Sequence, residues 1–420
     1  MTTAIESTRT RRAPTPALKT VVTGLGIAAP TGLGPTQFWR ATLRGKPGIS
    51  SITRFDTSGY WAKIGGEVPH FEADRHLEGK LLPQTDHMTR LALVGTDWAL
   101  RGAGVRPSDI PDREMATITA ATAGGYEFGQ RELQKLWHHG PDYVSTYQSF
   151  AWFYAVNTGQ ISIRHGTRGP GAVLVSEQAG GLDAIGYARR QLRHGSRLAL
   201  TGGVDSSLCP WAWVAHQVSG RLSRRNDPAR AYLPFDRDAN GYVVGEGGAI
   251  LVLETEESVL ERPNGRIYGE IAGYASTFDA REPRPVTGLQ RAAQLALDDA
   301  GVDPADVDVV FADALGVPEQ DAAEAKAIGQ LFGPYGVPVT APKTATGRLF
   351  AGGASLDVAS ALLSIYWSAI PPTINVSDPL PEYELDLVLG QARHLDVRVA
   401  LVLARGRGGF NSAVVVRDYR

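Results

Sequence analysis

Apolar positions along the chain follow two alternating rhythms. Lys19–Thr23 is a short β-branched run that ends in glycines, the pattern of a strand. Residues 86–101 place Met88, Leu91, Val94 and Trp98 at helical spacing, and Gly102 and Gly104 are expected to end that helix. Val173–Val175 reads as an apolar strand, and Leu182–Leu192 as the amphipathic helix that follows it. Leu198–Thr201 and Ala249–Leu253 read as buried strands. Strands alternating with helices in this way predict α/β layering, with helices covering a largely buried sheet.

The pattern repeats. Residues 99–110 and 296–307 share Ala99/Ala296, Leu100/Leu297, Ala103/Ala300, Gly104/Gly301, Val105/Val302, Pro107/Pro304 and Asp109/Asp306. Each copy follows a helical segment and precedes an apolar strand. A weaker echo pairs Leu182-Asp183-Ala184 with Leu356-Asp357-Val358, each after a Gly-Gly and at a helix start. Two copies in the same order point to a duplicated α/β unit and not to a solenoid, which needs several short repeats. Pro263-Asn264-Gly265 is a turn signal in the expected divide, Glu256–Arg266.

Composition narrows the chemistry. A chain of 420 residues supports one large domain or two to three smaller ones. A formal net charge of −2 supplies no global pull toward nucleic acid or membrane. The lone cysteine, Cys209, cannot build a disulfide framework, which fits a reducing cytoplasm. The nine histidines are scattered without a zinc-type cluster, and no apolar run reaches the length of a membrane span. Residues 1–17, with Arg9, Arg11 and Arg12, lack the apolar core of a secretory signal and read as a disordered tail, with a basic docking arm as the alternative.

Gly24-Leu25-Gly26 follows a strand and mimics a dinucleotide fingerprint. That chemistry requires a helix to open at the glycines and an acidic residue about twenty positions on. Pro30, Gly32, Gly34 and Pro35 are expected to prevent a helix there, so the glycines read as a tight structural turn. The informative segment is 173–186, where an apolar strand runs through small residues into a helix. This geometry exposes one side chain at a helix N-terminus, and a cysteine so placed would be a lowered-pKa nucleophile. The residue there is Gln178, whose amide cannot attack a thioester. Cys209 lies in a different context and reads as a packed small residue.

Taken together, these segments resemble the thiolase-fold β-ketoacyl synthases, and most closely their chain-length-factor (KSβ) branch from bacterial type II polyketide synthases. The resemblance covers nearly the whole chain. It rests on Val21–Gly26, on Pro234-Phe235-Asp236 followed by Gly241–Ala249, on Gly408-Gly409-Phe410-Asn411-Ser412, and on the branch-specific string Glu177–Asp183. It implies a five-layer αβαβα fold from two duplicated halves, with halves at 18–260 and 261–420.

The catalytic residues that the resemblance would bring mostly fail to appear. Gln178 stands for the acyl-carrying cysteine. Asp313 and Arg348 stand for the two histidines that assist decarboxylation and stabilise the oxyanion. Arg407 stands for a gating phenylalanine, while Lys343 and Glu324 are retained. No histidine occurs from 217 to 393. Asp313 and Arg348 are expected to pair and fill the vacated pocket.

The resemblance also implies a heterodimer with a cysteine-bearing ketosynthase α subunit. The chain would shape the polyketide tunnel, and the phosphopantetheine arm of an acyl carrier protein would bind through the partner. The segment 124–154 is rich in aromatic residues. Tyr126, Phe128, Leu133, Phe150, Trp152 and Phe153 are candidates for the tunnel and interface, with core packing as the plainer reading. Arg221, Arg224, Arg225 and Arg230 form a basic loop, read as a solvated surface with carrier docking as the alternative. Two other functions stay open: malonyl-carrier decarboxylation through Gln178, and an inert homodimeric scaffold.

Overall fold

The computed structural model describes residues 18–262, 265–280 and 287–419. The arginines of the N-terminal tail, and Pro263-Asn264 of the expected divide, lie outside the described residues.

The main sheet is built from β1 (Thr20–Ala29), β2 (Met115–Ala120), β3 (Gly171–Leu174), β4 (Leu198–Asp205), β5 (Gly247–Thr255), β6 (Gly269–Phe278), β7 (Val309–Phe311), β8 (Pro338–Thr340), β9 (Asp386–Leu387), β10 (Val399–Gly406) and β11 (Phe410–Arg417). The strand order is β9-β8-β7-β10-β11-β6-β1-β5-β4-β2-β3. The order β1-β5-β4-β2-β3 is mirrored by β6-β11-β10-β7-β8. In each half the first three strands pair antiparallel and the last three parallel. The two halves meet where β1 pairs antiparallel with β6.

The principal helices are α1 (Gly34–Leu43), α2 (His87–Ala103), α3 (Tyr126–His139), α4 (Val156–His165), α5 (Ala179–Arg193), α6 (Pro210–Val218), α7 (Gly288–Ala300), α8 (Pro318–Phe332) and α9 (Ala351–Trp367). α5 and α9 pack on each other and on strands of both halves, so they form the middle layer. Their apolar faces share one core with alternate residues of β1, β5, β10 and β11. The opposite faces of the strands pack against α2 and α4 in one half and against α7 and α8 in the other. The result is the five-layer αβαβα arrangement. Among the described residues no helix is long and apolar enough to cross a membrane.

The sequence repeat maps onto one structural device. α2 ends at Gly104 (φ 65°) and α7 at Gly301 (φ 63°), both in the left-handed conformation that glycine adopts without strain. A short 3-10 turn follows each, Pro107–Asp109 and Pro304–Asp306.

Three local expectations require correction. Gly24 and Gly26 lie inside β1 and form no turn. A Cβ on Gly24 would sit 2.1 Å from the Ala99 carbonyl oxygen, and one on Gly26 1.7 Å from that of Gly95, so these glycines let α2 lie directly on the strand. A helix does open after them, α1 at Gly34, with Pro35 in the first turn where its missing N–H leaves no bond unmade. Gly102 is inside α2; only Gly104 ends it.

Candidate functional site

The turn from β3 into α5 holds Val175 exposed, Ser176 buried, Glu177 strained and Gln178 fully buried. Glu177 has φ 53°, uncommon for a residue with a side chain, and this bends the chain so that Gln178 faces inward at the start of α5. The Glu177 carboxylate accepts a hydrogen bond from the Arg407 amide, which ties the turn to the loop between β10 and β11. Ser176 donates to Asp183, which also accepts from the Tyr274 hydroxyl at 2.9 Å.

Beneath the turn lies a buried chain of charges. Arg348 Nη1 meets Asp313 Oδ1 at 3.2 Å, and its Nη2 donates to the Arg405 carbonyl at 2.8 Å. Arg405 Nε lies 3.3 Å from Asp313 Oδ2, and its Nη2 meets Glu324 Oε2 at 3.0 Å. Glu324 accepts from the Asp313 and Ala314 amides, which fixes the loop after β7. Glu177 approaches Arg348 Nε at 3.9 Å, and Lys343 pairs with Asp357 at 2.7 Å. Burial pushes the Asp313 carboxyl up, but Arg348, Arg405 and Lys343 outweigh it and hold it below the usual carboxylate range.

Beside Gln178, the space bounded by Lys343, Arg348 and Gly353 amounts to about 10 Å³, room for a water and not for an acyl group. The Gln178 amide makes no hydrogen bond among the described residues.

The plug therefore pairs Asp313 with Arg348, with Glu324 tied in through Arg405, while Gln178 and Lys343 border the same small space as Arg348. It leaves out the Arg407 side chain, which is exposed and lines an adjoining cavity. Sequence reasoning missed Arg405 and the part played by Glu177. The available signal for Arg405 was an arginine closing the otherwise apolar run Val399–Ala404.

The adjoining cavity has a volume of about 290 Å³ and is lined by Tyr126, Glu177, Ser207, His216, Phe350 and Phe410, among others. Tyr126, at the start of α3, packs edge-on against Trp211 of α6 with ring centroids 5.1 Å apart. Phe128 faces the other way. It is buried, its amide donates to Asp86, and Arg131 covers its ring. Phe150 packs under α2. Leu133, Trp152 and Phe153 are exposed.

Two arginines of the basic loop are ion-paired within the chain. Arg225 and Arg230 both pair with Asp238, and Arg224 lies over the Trp61 ring. Cys209 is buried, and burial pushes its thiol up to about 11, so it is a packing residue and not a thiolate. Among the described residues no cluster of His, Cys, Asp or Glu could hold a metal ion.

Three buried carboxyls make stability depend on pH. Burial pushes Asp321 up to about 7 and Asp205 and Asp357 up to about 6, from an ordinary value of 3.8. Between pH 4 and 7 the folded state keeps protons that the unfolded chain has released, so stability falls as pH rises. Glu246 acts outside this window. Burial pushes it up, but His87 and Arg54 hold it at about 2, and the stability it contributes is lost only below pH 4.5. Thermal unfolding is expected to show a stability loss on the order of a few kcal/mol from pH 4.5 to 7.5, then a plateau. A flat profile would contradict the three raised carboxyls.

Comparison with known proteins places this geometry. Residues 19–258 match the β-ketoacyl synthase N-terminal domain and residues 268–377 the β-ketoacyl synthase C-terminal domain. The chain belongs to the β-ketoacyl synthase family. Within it, the chain falls in the KSβ branch. It is 60% identical over 402 residues to the tetracenomycin polyketide synthase ketoacyl synthase beta subunit of Streptomyces glaucescens, covering 95% of this chain and 98% of that one. It is 56% identical to the actinorhodin polyketide putative beta-ketoacyl synthase 2 of Streptomyces coelicolor, covering 96% and 99%. Among solved structures, the ishigamide ketosynthase/chain length factor superposes with a TM-score of 0.88 at 29% identity, covering 96% of this chain and all of the other. A type II polyketide synthase acyl-carrier protein in complex with its ketosynthase bound to the hexaketide superposes with a TM-score of 0.85 at 28% identity, with the same coverage.

Proposed function

We propose that the chain is the chain-length-setting subunit of a type II polyketide synthase. It pairs with a homologous ketosynthase α subunit that carries the cysteine, and it completes the tunnel into which the polyketide grows. The observation that carries this reading is the filled pocket. Where a β-ketoacyl synthase needs a nucleophile and two histidines, this chain has a buried Gln178 and, in place of the histidines, Asp313 and Arg348 locked in a buried ion pair, while the fold around them is intact.

The surface beside the plug suits a partner. β3 is the edge of the sheet, and an unpaired edge invites pairing or cover. Exposed Trp152 and Trp211 flank Gly129 of α3, with Phe153 and Val214 also exposed, the composition of an interface core. Tyr126 lines the cavity and is the residue we assign to the tunnel wall. The acyl carrier protein delivers its phosphopantetheine arm to the partner's active site, because this chain offers no thiolate and no space for a thioester beside Gln178. A lone buried cysteine fits action in the reducing cytoplasm. Decarboxylation through Gln178 has no support here, since no malonyl group fits in 10 Å³.

Co-expression tests the reading. The chain and a ketosynthase α subunit are expected to co-purify as a one-to-one heterodimer that extends malonyl-carrier units. The chain alone is expected to release no carbon dioxide from them. Condensation or decarboxylation by the chain alone, or a stable homodimer indifferent to the partner, would contradict it.

A further inference from the structure

The cavity beside the plug contains a preformed polar pair. His216 Nε2 lies 2.8 Å from Ser207 Oγ. The imidazole stacks on Phe350, with centroids 5.0 Å apart and planes within 16°. Burial pushes the imidazole down to about 4, so it is neutral at physiological pH.

Ser206 and Asp205, which also line the cavity, are already engaged. Ser206 donates to Glu246 at 2.6 Å. Asp205 accepts from the Thr122 amide and hydroxyl and from the Ala351 amide. With the proton on Nε2, His216 donates to Ser207 Oγ, and the serine hydroxyl hydrogen is left to point into the cavity. A carbonyl oxygen is the group that would accept it. The rings of Tyr126, Tyr242, Phe350 and Phe410 give the wall apolar surface for the methylenes of a β-ketoacyl chain, while Glu177, Arg221 and Arg407 make one side of it charged.

We propose that Ser207 and His216 form a recognition pair that hydrogen-bonds a keto oxygen of the growing β-ketoacyl chain and so favours one chain extent over its neighbours. This rests on the tunnel reading above and deepens it. Tyr126 would limit how far the chain reaches, and the pair would hold a keto group in register. No bond is made or broken, and the neutral imidazole orients the hydroxyl.

The test uses the heterodimer with Ser207→Ala, His216→Phe and Ser207→Thr, each first shown to co-purify with the partner. The first two are expected to lower the dominant product about tenfold relative to products one extension unit shorter or longer, the scale of one lost hydrogen bond to a buried polar group. Ser207→Thr keeps the hydroxyl and is expected to keep the distribution. Crystals of the heterodimer soaked with acetylacetone, a minimal 1,3-diketone, are expected to place a keto oxygen within hydrogen-bonding reach of Ser207 Oγ. An unchanged distribution in both variants while Tyr126→Ala shifts product length would overturn the pair alone. An unchanged product from Tyr126→Ala as well would overturn the tunnel reading with it. An empty cavity after soaking would also count against the pair.

Discussion

Replacing Arg348 by methionine is expected to lower the stability of the chain by about 3–5 kcal/mol, the usual result of removing one member of a buried ion pair. Arg348 and Asp313 are both buried, and Arg348 also holds the Arg405 carbonyl and faces Glu177. Without the guanidinium, Asp313 keeps only Arg405 and Lys343 nearby, and Glu177 loses its cation. The second change Asp313→Leu, made in the same chain, is expected to restore a substantial part of the loss, because a buried ion pair exchanged for apolar side chains of similar size is often neutral. Urea unfolding of the single and double variants checks both. A single variant as stable as the parent would show that the plug carries no structural weight.

The second large effect separates two aromatic residues that stand two positions apart. Phe128→Ala is expected to destabilise the chain by about 3–5 kcal/mol, because it empties a buried aromatic site next to the Asp86 contact that anchors α3. Tyr126 is half-buried against Trp211 at the cavity wall. Tyr126→Ala is therefore expected to leave the heterodimer intact and to enlarge the cavity. Residues i and i+2 on a helix point to different faces, so the two substitutions should sort cleanly into a stability effect and a product effect.

Much of this was legible in the sequence because local patterns carried it. The duplicated Gly104 and Gly301 segments announced the two halves, and five strands of each follow the same order. The strand, turn and helix around Gln178 located the site, and the exchange of two histidines for Asp313 and Arg348 announced an ion pair that the fold does form. What stayed hidden depends on three-dimensional neighbours. Glycines that make a turn and glycines that admit a helix look alike in sequence, so Gly24 and Gly26 were misread. Arg405 joins the plug through residues some 80 to 90 positions away, and nothing local to it shows that pairing. Tyr126, Phe128 and Phe150 look equivalent in an aromatic segment, yet one lines the cavity and the other two pack inward.

The most direct test of the claim that this chain sets product length is mass-spectrometric analysis of polyketides made by the Tyr126→Ala heterodimer with its ketosynthase partner and acyl carrier protein. The expected result is a shift to longer chains by at least one extension unit with the heterodimer intact. A product of unchanged length from an intact heterodimer would contradict it.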